Sequence, residues 1–302
     1  MSKRKYVFNP ELTNCCNYKC IFCPHSWRGK DTPGGNKFDR PLGYMGRDIY
    51  GLVLDNAEKY AKSMCLGFFG EPMLHPKFRE YVELVPQDRE YSFELNTNFS
   101  RVTAKDFDVL SLFDSIKISL DASTKKLYDT LCPGNGVLNP DGTKAVDGFA
   151  AIEHKLERWL KRKGKPNTRI VHTVSSLNKH DTKSFVRKWQ GKLGERDHIL
   201  TKSVLSYGGV VQDEFMSEYP CKTLDQKWIT IAWNGDVGVC NLDVNMELCI
   251  GTLEDTRGLG NMLASEQATA VRDRIKKKAG ICENCFDANN WSKNKKYFRK
   301  DN

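Results

Sequence analysis

The sequence lacks any run of about 18 apolar residues, so no helix in it is expected to cross a membrane. Its start, Met1-Ser2-Lys3-Arg4-Lys5-Tyr6-Val7-Phe8, is basic. It reaches Asn9-Pro10 without the apolar stretch of a secretory signal, and a cytoplasmic location is the expectation. There is no Walker-type phosphate loop and no Ser/His/Asp pattern to support a kinase or a hydrolase. No internal repeat is evident. Hydrophobic residues make up 39% and charged residues 28%, a balance that excludes a wholly disordered chain. A length of 302 residues suits one large α/β barrel, or a core with a small second domain.

Charge of one sign is not scarce: 47 Lys+Arg face 38 Asp+Glu, a net +9. Part of the excess sits in Lys276-Lys277-Lys278 and in the tail from Lys293 to Lys300, with Trp291, Tyr297 and Phe298 interleaved. Nucleic-acid patches share this look. A solvated helix end and a frayed tail account for it equally, and no nucleic-acid partner is expected.

Cysteine is abundant, at 11 residues, and odd in number. Without an export signal this favours metal or redox work over disulfides. Cys15, Cys16, Cys20 and Cys23 crowd the beginning, and Cys221, Cys240, Cys249, Cys282 and Cys285 lie in the last third. Only Cys65 and Cys132 fall between. Two metal sites are therefore expected.

Up to about Leu205, short β-rich runs alternate with amphipathic stretches of helix length. Strands are expected at Tyr6–Phe8, Met64–Phe69, Tyr91–Leu95, Ser115–Leu120, Arg169–Val174 and Ile199–Leu205. Helices are expected near Asp48–Lys62, Pro76–Val85, Ala104–Phe113, Thr124–Leu131, Phe149–Arg162 and Thr182–Leu193, with Thr103 and Asp181 as capping residues. Alternating βα units imply a parallel sheet with crossover helices. Six units are too few for an eight-fold barrel, so a partial (β/α)6 TIM-like barrel is expected over residues 1–215. Residues 216–302 form a small second domain, in which Trp228–Trp233, Asn234-Gly235-Asp236 and Val237–Cys240 read as a hairpin.

Cys16-x3-Cys20-x2-Cys23 follows the first expected strand. Zinc in a structural site takes four ligands, and Cys15 or His25 is available as a fourth. A [4Fe–4S] cube normally takes four thiolates; with three, one iron stays open for a substrate or cofactor. Cys221, Cys240 and the pair Cys282-x2-Cys285 supply four more thiolates, again suited to zinc or iron–sulfur.

Cys16, Cys20, Phe22 and Cys23 form the signature C-x3-C-x-aromatic-C, by which the chain resembles the radical S-adenosylmethionine (SAM) superfamily. Gly70-Glu71-Pro72, Asn96-Thr97-Asn98 and Lys117-Ile118-Ser119-Leu120-Asp121 follow at the ends of the next three strands, the end where α/β barrels gather their sites. The resemblance implies that Phe22, Gly70, Glu71, Asn96, Asn98 and Ser119 contact SAM, with Glu71 toward its ammonium group. It also implies a [4Fe–4S] cluster at Cys16, Cys20 and Cys23. Cys132 stands where related chains often carry the arginine for the SAM carboxylate, leaving Lys125, Lys126 or Arg169 for that task. Behind such a core, Cys221, Cys240, Cys282 and Cys285 resemble the twitch domain, which holds a second [4Fe–4S] cluster.

Cys249 matches no ligand position. In Met246-Glu247-Leu248-Cys249-Ile250-Gly251, strand alternation puts Met246, Leu248 and Ile250 on one face and Glu247 with Cys249 on the other. Such a cysteine is either a small buried hydrophobe or a hydrogen-atom donor near a substrate. The whole chain resembles the twitch-type enzymes of aminoglycoside antibiotic biosynthesis. That resemblance implies an epimerase inverting one carbon of an aminoglycoside, with Cys249 as donor and an electron donor such as flavodoxin or ferredoxin. The alternatives are a radical SAM dehydrogenase of an amino-alcohol or sugar, and a zinc-stabilised binding module without catalysis. Acidic residues suited to a polycationic substrate are Asp213, Glu214, Asp243 and Glu247.

Overall fold

Alternating apolar residues and amphipathic stretches produce the expected βα succession. In the computed structural model, which describes residues 5–32, 37–213, 221, 223–285 and 296–300, six strands run parallel in sequence order. They are β1 (Tyr6–Pro10), β2 (Ala61–Leu66), β3 (Ser92–Thr97), β4 (Ser115–Ser119), β5 (Asn167–Val174) and β6 (His198–Ser203). Between them run α1 (Arg47–Tyr60), α2 (Phe78–Glu83), α3 (Phe107–Leu110), α4 (Lys125–Leu131), α5 (Gly148–Leu160) and α6 (Thr182–Gln190).

The helices bury one stripe each against the sheet, as their spacing dictates. Tyr50, Val53 and Ala57 of α1 are fully buried, and Tyr50 stacks on Tyr81 of α2 at 4.5 Å. In α5, Phe149, Ile152, Leu156 and Trp159 point inward, and Trp159 Nε1 donates to Thr168 Oγ1 at 3.0 Å. The start of α5 is held by Asp147, whose Oδ1 accepts from Ala150 N at 3.1 Å. Strand alternation sorts the other layer. Phe93 and Leu95 of β3, with Ile116 and Ile118 of β4, lie in this core; Glu94, Asn96, Lys117 and Ser119 take the opposite, inner face. Across that polar wall Lys117 Nζ meets Glu94 Oε2 at 2.7 Å, and Arg169 lies 3.8 Å from the same oxygen.

The last third of the chain does not leave the sheet. After α7 (Thr223–Gln226), β7 (Trp228–Ile231) pairs parallel with β1, β8 (Asp236–Gly238) pairs antiparallel with β7, and β9 (Cys249–Thr252) with β8. Then come α8 (Gly258–Ala264) and α9 (Glu266–Lys276), the latter capped by Ser265. Finally β10 (Lys296–Phe298) runs antiparallel along β6. The described strands thus form one sheet, ordered β10-β6-β5-β4-β3-β2-β1-β7-β8-β9. The boundary expected near residue 215 lies outside the described residues, as do Glu214, Trp291 and Lys293.

Three local expectations need correction. The tail does not simply fray: Lys296–Phe298 finds the open edge of β6, and the Tyr297 ring lies 5.3 Å from His198. Asp181 does not cap α6 with its side chain; its carboxylate reaches across to accept from Ser123 N at 2.6 Å. Met246-Glu247-Leu248 is a turn, because Asp243 draws in the backbone N–H groups of Glu247 (3.1 Å) and Leu248 (2.7 Å). β9 starts only at Cys249, yet the burial alternates as expected, with Met246, Leu248 and Ile250 buried and Cys249 half-buried.

Candidate iron–sulfur and cofactor site

Cys16, Cys20 and Cys23 lie in the loop leaving the C-terminal end of β1. The loop cannot drift, because Lys19 N donates to Pro133 O at 2.8 Å and Ile21 N to Leu131 O at 2.9 Å, both at the end of α4. Tyr18 packs edge-on against Tyr128, with centroids 6.1 Å apart, and its ring leaves no room for a Cβ at Gly134. Donors gather on the sulfurs. Tyr18 N lies 3.5 Å and Asn98 Nδ2 4.0 Å from Cys16 Sγ, while the backbone N–H of His25 serves Cys23. Burial pushes the Cys23 thiol up to about 12 and raises Cys16 strongly, with neighbouring thiolates adding to both. Such buried thiols keep their protons until a cation replaces them.

The sequence marked Cys132 only as standing where related chains often carry an arginine. Its thiol is hydrogen-bonded to Cys20, which raises its pKa ahead of burial itself, and it reaches Asp121 Oδ2 at 3.9 Å. Asp121 in turn accepts from Thr173 N at 2.6 Å, and burial lifts it to about 6.

The strand-end residues expected at SAM stand at the same end of the sheet as this loop. Gly70 has φ +75°, and a Cβ there would run into the Thr13 carbonyl oxygen, so only glycine fits. Glu71, 2% exposed, is pushed up to about 7 by burial. The ammonium pairing expected of it meets a carboxylate already engaged. Its Oε1 accepts from Met73 N (3.2 Å) and Thr97 Oγ1 (2.8 Å), and its Oε2 from Asn98 N (2.7 Å). Glu71 therefore fastens the end of β2 to the end of β3. Asn98 is held by Asn17, at 3.1 Å, and by Ser100 N, at 2.9 Å. Asn96 Oδ1 is buried without a partner, an open acceptor beside Gly67, whose φ of +126° brings the backbone close. Ser119 closes β4 on the polar wall, and Phe22 packs against both apolar clusters of the protein. Lys125 faces Asp129 on the surface, whereas Arg169 belongs to the inner wall.

Sequence reasoning missed Lys155. It reads as one more helix-face cation, yet it is fully buried and donates to Ser100 O, just beyond β3, at 2.9 Å. Burial lowers it to about 7.

Cys221, Cys240, Cys282 and Cys285 line one cavity together. Hydroxyls accompany two of them: Thr223 Oγ1 lies 3.9 Å from Cys240 Sγ, and Ser206 Oγ donates to Cys285 Sγ at 4.0 Å. Burial pushes Cys282 up to about 12 and Cys240 well above its ordinary value. Among the described residues, no three His, Cys, Asp or Glu side chains converge on one ion-sized point. The sulfurs border a space instead. Cys249 stands beside Leu248, which lines the same cavity; its Sγ donates to Gly251 O at 3.2 Å, and burial raises its pKa. Two of the acids expected to favour a polycation are occupied: Asp213 accepts from Ser176 N and Oγ, and Asp243 holds its turn.

Comparison with known proteins bears on both cysteine sets. Residues 221–286 match the SPASM iron–sulfur cluster-binding domain. Across 94% of both chains, the fold resembles that of BtrN in complex with AdoMet and 2-DOIA, at 16% identity and a TM-score of 0.56. It also resembles native anSMEcpe with bound AdoMet, at 14% identity and a TM-score of 0.63, over 90% of this chain and 84% of that one. This is the radical SAM fold with a SPASM-type segment. Streptococcus suis SuiB bound to its precursor peptide SuiA shares this radical SAM fold, at 13% identity and a TM-score of 0.63, over 94% of this chain and 70% of that one. A curated relative from Pyrococcus furiosus, the tungsten-containing aldehyde ferredoxin oxidoreductase cofactor-modifying protein, is 30% identical over 102 residues. That match spans 33% of this chain and a quarter of the relative. The expected cofactors, SAM and two [4Fe–4S] clusters, agree with an iron–sulfur segment in a fold whose solved examples bind AdoMet.

Proposed function

We propose that the chain is a radical SAM epimerase that inverts one carbon of an aminoglycoside, of the neomycin C to neomycin B kind. Cys16, Cys20 and Cys23 would hold one [4Fe–4S] cluster with an open iron for SAM, and Cys221, Cys240, Cys282 and Cys285 the other. Bound there, SAM and the first cluster supply a 5′-deoxyadenosyl radical able to take a hydrogen atom from the substrate. Glu71 and Asn98 keep the strand ends in register around that site, and the open acceptor on Asn96 is available to a ribose hydroxyl.

Cys249 carries the reading. Its raised pKa keeps the thiol protonated at neutral pH, and an S–H bond is weaker than most C–H bonds. Returned to the face opposite the abstracted hydrogen, that atom inverts the centre. The remaining thiyl needs one electron and one proton to become a thiol again; a second cluster, held by Cys221, Cys240, Cys282 and Cys285, would relay the electron from a donor such as flavodoxin or ferredoxin, and water would supply the proton. One observation favours a dehydrogenase of an amino-alcohol or sugar instead: the thiol is engaged with the Gly251 carbonyl.

Anaerobic turnover of neomycin C in deuterated water tests the proposal. The inverted carbon should gain a single deuterium. Cys249→Ala should still form 5′-deoxyadenosine without inverted product. Full activity in that variant removes Cys249 from its role, an oxidised product selects the dehydrogenase, and colourless zinc-loaded protein rejects radical chemistry altogether.

A further inference from the structure

A file of aromatic rings in contact leads from the first cysteine set to the segment beside the second. His25 follows Cys23 by two residues, and its ring meets Phe38 edge-on at 5.1 Å. Phe38 stacks on Phe69 at 6.0 Å, and Phe69 meets Tyr207 at 5.7 Å. Tyr207 follows Ser206, the donor to Cys285 Sγ, and precedes Gly208, which lines the second cavity. The file therefore starts at a residue whose backbone N–H serves Cys23 and ends at one next to the hydroxyl serving Cys285.

Ordinary core packing accounts for rings touching. It does not account for Tyr207, whose φ of +51° is a left-handed conformation that a bulky residue adopts at a cost and that clusters at functional sites.

We infer that His25, Phe38, Phe69 and Tyr207 form the route by which one electron passes between the two cysteine-bound centres. Tunnelling falls off steeply across empty gaps, and rings in contact leave none along the file. The step is a simple exchange. The reduced centre loses one electron, the oxidised one gains it, no bond forms or breaks, and no proton moves. A low-potential one-electron reductant starts it. The inference rests on both sets holding clusters, as proposed above.

The test uses anaerobic holoenzyme mixed with half an equivalent of dithionite, frozen at intervals and read by EPR, with iron and sulfide measured in every sample. Phe69→Leu and Tyr207→Leu should slow the approach of the two cluster signals to their final ratio several-fold, leaving the ratio unchanged. Phe69→Tyr and Tyr207→Phe, which keep a ring, should retain the wild-type rate. Phe68→Leu, in the same apolar cluster but beside the file, should retain it too. Equal rates in all variants overturn the route, as does equal slowing in Phe68→Leu, which would mark a general packing effect. Absence of iron in the wild type overturns the cluster assignment and the route with it. Iron at both sites with unaltered rates overturns the route alone.

Discussion

His172 lies on the helix-facing side of β5, its ring stacked on Phe185 at 4.3 Å and its Nε2 3.3 Å from Thr182 Oγ1. Burial lowers its pKa to about 4. It faces away from the polar wall, so acid–base work at the candidate site falls to other groups. An unfolded histidine titrates near about 6.5, and there the unfolded chain binds the proton that the folded one refuses. The stability this buried imidazole leaves intact is complete above about pH 6.5 and declines as the pH falls toward 4. His25, also held near 4 by burial, acts in the same window. Replacing His172 with Phe keeps the stack and removes the titration. Thermal unfolding followed across this range should show a shallower acid limb in that variant, and an unchanged limb would mean His172 carries a proton in the native state.

At the scale of elements, the segment before α1 ties the end of β1 to the loop between β8 and β9. Arg40 meets Glu11, just beyond β1, through paired bonds of 2.9 and 2.7 Å, and its Nε donates to Val244 O at 2.6 Å. Glu11 is fully buried, and burial raises its pKa against the pull of Arg40. Arg40→Met strands that carboxylate. Urea unfolding should show a loss of about 3–5 kcal/mol, much of it recovered when Glu11→Gln is added. No such pair could be read from sequence, since nothing local distinguishes Glu11 from a surface acid. Local signals were legible: strand alternation, helix stripes, and the spacing of Cys16, Cys20 and Cys23 all depend on neighbours a few residues apart. What escaped depends on the tertiary fold. Cys132 reaches Cys20 only because α4 ends against the loop, Asp181 leaves its helix for Ser123, and Lys155 is buried by a turn fifty residues away in the sequence.

For the whole molecule, the sheet extends through the last third of the chain on one side and is closed by β10 on the other. A chain ending at residue 295 would lose β10 and bare the backbone of β6. Calorimetry should then show a lower Tm, by about 2–4 °C for each kcal/mol lost in a protein of this size class. Light scattering should show association that grows with concentration, as an unpaired edge recruits other chains. A Tm and a monodisperse profile matching the full chain would show that β10 contributes little.

The pairing of Val7 with Trp228 has a consequence for biosynthesis. In a nascent polypeptide emerging from the ribosome, β1 is made well before its neighbour on that flank, which is translated about 220 residues later. Until then the strand must either wait or be shielded by chaperones, and such long-range closure makes maturation slow. A cluster held by the adjacent cysteines, as proposed above, would then be expected to enter only after that neighbour has been translated.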